Sequence, residues 1–239
     1  MNIMELRKKM KEYYNKLKKG FDKMNLPNKL TILRIILVPI IVIIYYLGSL
    51  GIINGEFLSI PIVNWIILAV FGIASYTDHL DGKLARKNNQ ITAFGKFADP
   101  LADKILVLAV MLILVEDGKI PAWIPIVVLF REFVVSGYRL IAVEKGGQVI
   151  AANIWGKIKT VTQMIAIILM LLTNFSYFQF IFRAATIAEA NASSVLIYMS
   201  TVEFIINILA SVFMTLSVIA TIFSGWNYLK GSKKLFTDK

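Results

Sequence analysis

The chain contains no cysteine and only one histidine among its 239 residues. Without cysteine there can be no disulfide, no thiolate metal site and no cysteine nucleophile. A single imidazole, His79, cannot build a multi-histidine zinc centre. It reads first as a residue at a helix–water boundary, with a substrate contact as the second reading. Charge is also scarce: 17% of residues are charged, and 15 acids stand against 26 bases, for a formal net charge of +11. The sequence shows no internal repeat and no low-complexity run. A signal peptide is not expected, because the basic N-terminal part is too long and no small-residue cleavage site follows the first apolar run.

Apolar residues are abundant instead. They make up 57% of the chain, and the mean hydropathy is +0.69, above the values usual for soluble domains. Six long apolar stretches fall near residues 30–50, 61–80, 98–116, 121–143, 155–174 and 197–224. Each is long enough, or nearly so, to cross a hydrocarbon core about 30 Å thick as a helix. The expected fold is an all-α integral membrane protein with six transmembrane helices, preceded by an N-terminal amphipathic interfacial helix. In that leading segment, Ile3, Met10, Tyr14, Leu17, Phe21 and Met24 recur at helical spacing among lysines, a pattern suited to an anionic lipid surface. The expected divisions are a basic amphipathic helix over 1–26, a six-helix membrane domain over 27–225 and a basic cytosolic tail over 226–239. Residues 174–197 mix aromatics with Ala, Ser and Asn, and are expected to form an interfacial helix on the outer side.

The lysines and arginines set the orientation. Only Lys119 and Arg183 fall in what would be outside loops, so both termini are expected in the cytosol. This asymmetry explains the net charge as membrane topology, and no nucleic-acid partner is expected.

Carboxylates are few but regularly spaced around the second and third apolar stretches. The pattern from Asp78 to Asp103 is D-x2-D-G-x2-A-R-x8-G-x3-D-x3-D. Carboxylates near a bilayer are costly unless they pair or bind metal. Asp78 and Asp81 are three apart, and Asp99 and Asp103 four apart, so on helices each pair shares a face. Two such pairs facing each other would make an oxygen-rich cage suited to hard divalent cations. Asp99, Pro100 and Asp103 are expected in the first turns of the third span, where the helix dipole favours negative charge and proline loses no hydrogen bond. Gly95 is expected in the turn before it.

This long, fixed-gap pattern resembles the signature of the CDP-alcohol phosphotransferases, membrane enzymes of phospholipid synthesis. The resemblance implies two divalent ions, Mg2+ or Mn2+, held by Asp78, Asp81, Asp99 and Asp103. It makes Asp103 the catalytic base as well. It also implies that CDP-diacylglycerol is bound by Gly82 and Ala85, whose small side chains let a nucleotide approach, by the donor fork of Arg86, and by Thr92 and Gly95. Asn28 and Thr31, in the stretch N-x2-T-x2-R ending at Arg34, would join them, as at the start of phosphatidylglycerophosphate synthases. A homodimer is implied by the family.

The shared pattern leaves the acceptor alcohol open. The run from Gly95 to Lys104 and the start of the fifth stretch, Gly156 to Gln163, resemble phosphatidylglycerophosphate synthases. The fourth stretch carries Arg131, Glu132 and Arg139; buried arginines in a membrane line cavities or pair with anions, and Glu132 and Arg139 share a face. Arg131, Arg139, Lys157 and Lys159 are therefore expected to bind the phosphate of an acceptor such as glycerol 3-phosphate. The alternatives are a sister enzyme using inositol phosphate or phosphatidylglycerol and, from another class, a transporter with membrane aspartates. Against transport, the carboxylates gather at one end and no paired inverted halves are evident.

Overall fold

A computed structural model describes residues 5, 7, 9, 10, 25–87, 93–144, 154–173 and 201–237. Within these, only the backbone is described at 27, 78–87, 93–97, 99–100, 139–140, 142–144, 201–204 and 231–237. Most of the expected N-terminal amphipathic helix, and the aromatic segment 174–197, lie outside the described residues.

Six helices are described from end to end. They are α1 (Leu26–Ser49), α2 (Ile62–Lys87), α3 (Ala93–Glu116), α4 (Trp123–Glu144), α5 (Ile154–Leu171) and α6 (Thr201–Thr237). Three contain stretches long and apolar enough to cross a membrane: Asn28–Ser49, Ile154–Leu171 and Ile205–Lys230. The apolar part of α2, Ile62–Thr77, is shorter. Helices α3 and α4, with 24 and 22 residues, have the length but carry charges inside it. The architecture is that of a membrane-embedded helical protein.

Two helices run on past their apolar stretches. Helix α2 runs seven residues beyond 80, through the whole first half of the aspartate pattern. The expected C-terminal tail is helical as far as Thr237, because Gly231 is the only helix-weakening residue between Tyr228 and Phe236 and lysines are good helix formers.

The chain forms two compact units: residues 1–43 with 69–107, and residues 44–68 with 108–239. In the first unit, Ala98, Ala102 and Leu106 make a buried stripe at every fourth position of α3, and Phe71 and Ala74 are buried on α2. On α1 the buried face is polar in its first half: Asn28, Thr31 and Arg34 are buried, followed by Ile41, while Leu33, Ile35, Ile36 and Ile40 are exposed.

In the second unit, α6 packs most extensively on α5 and next on α4. Its buried side repeats every three or four residues through Asn207, Ala210, Ser211, Met214, Ser217, Val218, Thr221, Ser224 and Tyr228. Small residues on that face let helices approach closely where no hydrophobic effect drives them together. Ile205, Leu209, Val212, Leu216, Ile219, Ile222 and Phe223 are exposed, which suits contact with lipid chains. Between α1 and α2, two short strands, β1 (Glu56–Phe57) and β2 (Ile60–Pro61), pair antiparallel. Their turn places Leu58 and Ser59 at φ of 54° and 60°, and Trp65 Nε1 donates to the Phe57 carbonyl at 3.1 Å.

Candidate active site

The first unit carries the aspartate pattern. Asp78, Asp81, Gly82, Ala85 and Arg86 occupy the last turns of α2, and Gly95, Asp99 and Asp103 lie on α3. Helix α2 ends at Lys87 and α3 starts at Ala93, so the connecting chain holds the two helix ends within about 20 Å. Helical register puts Asp78 and Asp81 on one face of α2, and Asp99 and Asp103 on one face of α3. The buried Ala98–Ala102–Leu106 stripe fixes how α3 sits. Asp103 lies at the margin of this stripe, half-buried and engaged with neighbouring groups. The side chains of Asp78, Asp81, Arg86 and Asp99 lie outside the described residues, as does Thr92 entirely.

Helix α3 starts earlier than its sequence suggests, and this corrects three expectations. Gly95 is helical rather than in a turn. Pro100 stands in the third helical turn, where its missing N–H removes an interior hydrogen bond. Asp99 and Asp103 lie beyond the first turn, where the helix dipole has largely faded. The helix end therefore contributes little to stabilising these two carboxylates, which leaves that to nearby donors or cations. The donor set fits that need. It is four carboxylates at i, i+3 and i, i+4, with no thiolate, which is the chemistry of a hard divalent ion.

Asn28, Thr31 and Arg34 belong to the same unit. All three are buried, Thr31 and Arg34 completely, and their spacing puts them on one side of α1. Burying a polar face in a helix whose other residues are aliphatic is costly without partners. The three residues engage groups within the protein.

The second unit brings together part of the expected acceptor cluster. Arg131 Nη1 donates to Glu132 Oε1 at 2.8 Å, and Lys159 Nζ donates to the same oxygen at 2.8 Å. Arg131 is held further by α6: its Nε and Nη2 donate to Ser224 Oγ at 3.2 and 2.5 Å. Its Cζ lies 5.9 Å from the Tyr228 ring centre, within cation–π reach. Lys159 is buried and Lys157 exposed. Arg139 is on α4, but its side chain lies outside the described residues. Glu132 is thus committed to Arg131, its neighbour on α4, and to Lys159 on α5, a partner that spacing along α4 alone cannot supply.

Ser224 and Tyr228 were not legible as site residues. Their one sequence signal is a Ser-Gly step inside an apolar run. Gly156 and Gly225 belong with them: a Cβ at Gly156 would come 3.1 Å from Arg131 Nη2, and one at Gly225 3.5 Å from Arg131 Cγ.

A separate cleft of about 450 Å3 in the second unit is lined by Tyr45, Asn54, Glu56, Asn64, Asp117 and Lys119, among others. It contains none of the pattern residues. Burial lowers the Lys119 pKa, opposed by nearby Asp117, and its ammonium donates to the Met170 carbonyl at 3.2 Å.

The chain is also similar to known proteins. A family model described as CDP-alcohol phosphatidyltransferase matches residues 24–223. A Bacillus subtilis protein named CDP-diacylglycerol–glycerol-3-phosphate 3-phosphatidyltransferase is 48% identical over 157 residues, covering 64% of this chain and 79% of its own. A Rickettsia bellii protein of the same name is 31% identical over 213 residues, covering 89% and 97%. A third, from Haemophilus influenzae, is 41% identical over 149 residues, covering 61% and 74%.

Proposed function

Since the chain belongs to the CDP-alcohol phosphatidyltransferase family, we propose that it transfers the phosphatidyl group of CDP-diacylglycerol to glycerol 3-phosphate, giving phosphatidylglycerophosphate and CMP. The observation that carries this reading is the complete aspartate spacing, set on two consecutive helices in their parts that belong to one compact unit. The names of the relatives supply the acceptor.

The reaction joins a hydroxyl to the phosphorus that carries the diacylglycerol group. The hydroxyl oxygen attacks that phosphorus, the bond to the bridging oxygen breaks, and CMP leaves with the electron pair. The carboxylate of Asp103 takes the hydroxyl proton. Asp78, Asp81, Asp99 and Asp103 would hold two divalent ions, Mg2+ or Mn2+. Bound there, such ions neutralise phosphate oxygens and stabilise the departing nucleotide. Asn28, Thr31, Gly82, Ala85, Arg86, Thr92 and Gly95 bind the CDP-diacylglycerol. Arg131, Arg139, Lys157 and Lys159 bind the acceptor phosphate, and the pairing of Arg131 and Lys159 through Glu132 supports grouping these two.

The chain works as a homodimer in a bacterial plasma membrane, crossing it six times with both termini and the aspartates on the cytosolic side. An amphipathic helix over 1–26 rests on the anionic surface, 27–225 form the membrane domain, and 226–239 stay cytosolic.

Purified protein supplied with CDP-diacylglycerol and radiolabelled glycerol 3-phosphate should form a labelled lipid and release CMP. Label incorporated only from inositol phosphate or phosphatidylglycerol would move the chain to a sister activity. No product with any acceptor would remove the enzymatic reading.

A further inference from the structure

The cluster on α4, α5 and α6 contains a group to which the acceptor reading gives no task, the carboxylate of Glu132. One of its oxygens, Oε1, lies 2.8 Å from Arg131 Nη1 and 2.8 Å from Lys159 Nζ. The two cationic nitrogens therefore cannot stand more than 5.6 Å apart, twice the common contact distance. A single phosphate group can span two donors at that separation, since each would meet a different one of its oxygens at about 2.8 Å. All three side chains are largely buried, with 8–16% of their surface exposed. At that burial the repulsion between two cations is poorly screened. A carboxylate shared by both offsets it and holds them at a fixed spacing before any ligand arrives.

Arg131 is oriented from its other side as well. Ser224 Oγ accepts from the Nε and Nη2 edge. With Glu132 on Nη1, three of the five N–H groups of the guanidinium are committed. One N–H on each terminal nitrogen remains uncommitted among the described residues, and these two nitrogens form the fork that suits a phosphate. Gly156 and Gly225 leave the room this posture requires.

We infer that Glu132 is a positioning residue, clamping Arg131 and Lys159 through one oxygen into a two-cation receptor sized for a single phosphate group. The inference rests on the proposal that these two cations bind the acceptor phosphate. Glu132 does not touch the substrate in this scheme. With its negative charge counted, the trio keeps a net positive charge, and the uncommitted donors of Arg131 remain to bind the anion.

The test uses the full-length protein in detergent, with KM measured for each substrate in turn. Glu132→Gln keeps size and an acceptor oxygen but loses the charge that holds both cations. It should raise KM for glycerol 3-phosphate by roughly tenfold or more, as expected for losing charge-assisted bonds, and leave KM for CDP-diacylglycerol within about twofold. Inorganic phosphate, as a competitor of glycerol 3-phosphate, should weaken in parallel. Glu132→Asp should recover part of the loss, and it carries the test if the Gln variant fails to fold. Arg131→Ala and Lys159→Ala are measured beside them. If these two raise KM for glycerol 3-phosphate while Glu132→Gln changes nothing, the clamp is wrong and the acceptor site stands. A lowered KM in Glu132→Gln would make Glu132 a competitor of the phosphate and overturn the clamp. If neither cation variant affects KM for glycerol 3-phosphate, the acceptor assignment falls and the clamp with it.

Discussion

Asp103 and Asp78 carry the same functional group, yet they should fail differently when changed. Asp103→Asn keeps its size and one metal-capable oxygen but loses its basicity. CDP-diacylglycerol and divalent cation should still bind, while turnover falls by roughly 10²–10⁴-fold, the usual worth of a positioned base. Asp78→Asn should instead weaken metal binding itself, and added Mg2+ or Mn2+ should restore part of its activity. Activity against metal concentration, beside calorimetric metal binding, separates the two. Near-normal turnover in Asp103→Asn would remove it as the base, and rescue of that variant by metal would make it a simple ligand. These proposed roles come from a fixed-gap pattern of carboxylates, which is a strong sequence signal. Ser224 was not legible. A serine in an apolar helix has many ordinary uses, and only the approach of Arg131 from another helix singles it out.

At the scale of elements, close approach rather than propensity decides some positions. Gly48 lies near the end of α1, and glycine in a helix usually costs up to about 1 kcal/mol relative to alanine. Here a Cβ would collide with Val63 Cγ2 on α2, and would stand 3.1 Å from both Cβ and Cγ1 of the same valine. A β-branched side chain has little rotamer freedom with which to move aside. Gly48→Ala should therefore lose about 1–3 kcal/mol to overpacking, outweighing its helix propensity. The thermal midpoint in detergent should drop for Gly48→Ala and recover in Gly48→Ala with Val63→Ala. A raised midpoint in the single variant would mean that the helices separate easily at this point. Helix existence was readable from apolar length; helix ends were not. Helix α3 begins at Ala93, and the apolar run alone, starting near residue 98, gave no sign of the polar first turns that carry Gly95 and Lys96.

For the whole molecule, the absence of cysteine makes topology directly measurable. Single cysteines introduced in residues 51–58 and 83–96 should label from opposite sides of intact cells and inverted vesicles. The 83–96 positions should react from the cytosolic side. Labelling of that segment from outside would overturn the proposed orientation and the cytosolic active site with it. The expectation comes from the near absence of lysine and arginine in the outside loops, a property of the chain as a whole that no one helix carries.

Apolar run lengths, the lysine and arginine asymmetry and the aspartate spacing are all one-dimensional and can be read along the chain. They point to a helical membrane protein, its proposed orientation and the carboxylates of its proposed centre, because helical register and bilayer thickness act along the chain. Which face of each helix turns inward depends on packing in three dimensions. In α1 and α6 several polar and small residues are buried while many aliphatic ones are exposed, and both classes are spread along apolar segments whose hydropathy does not distinguish the two sides. Packing also decided that Glu132 takes Arg131 and Lys159 on one oxygen. Lys159 is 27 residues away on another helix, and contacts between helices depend on packing, which sequence spacing does not encode.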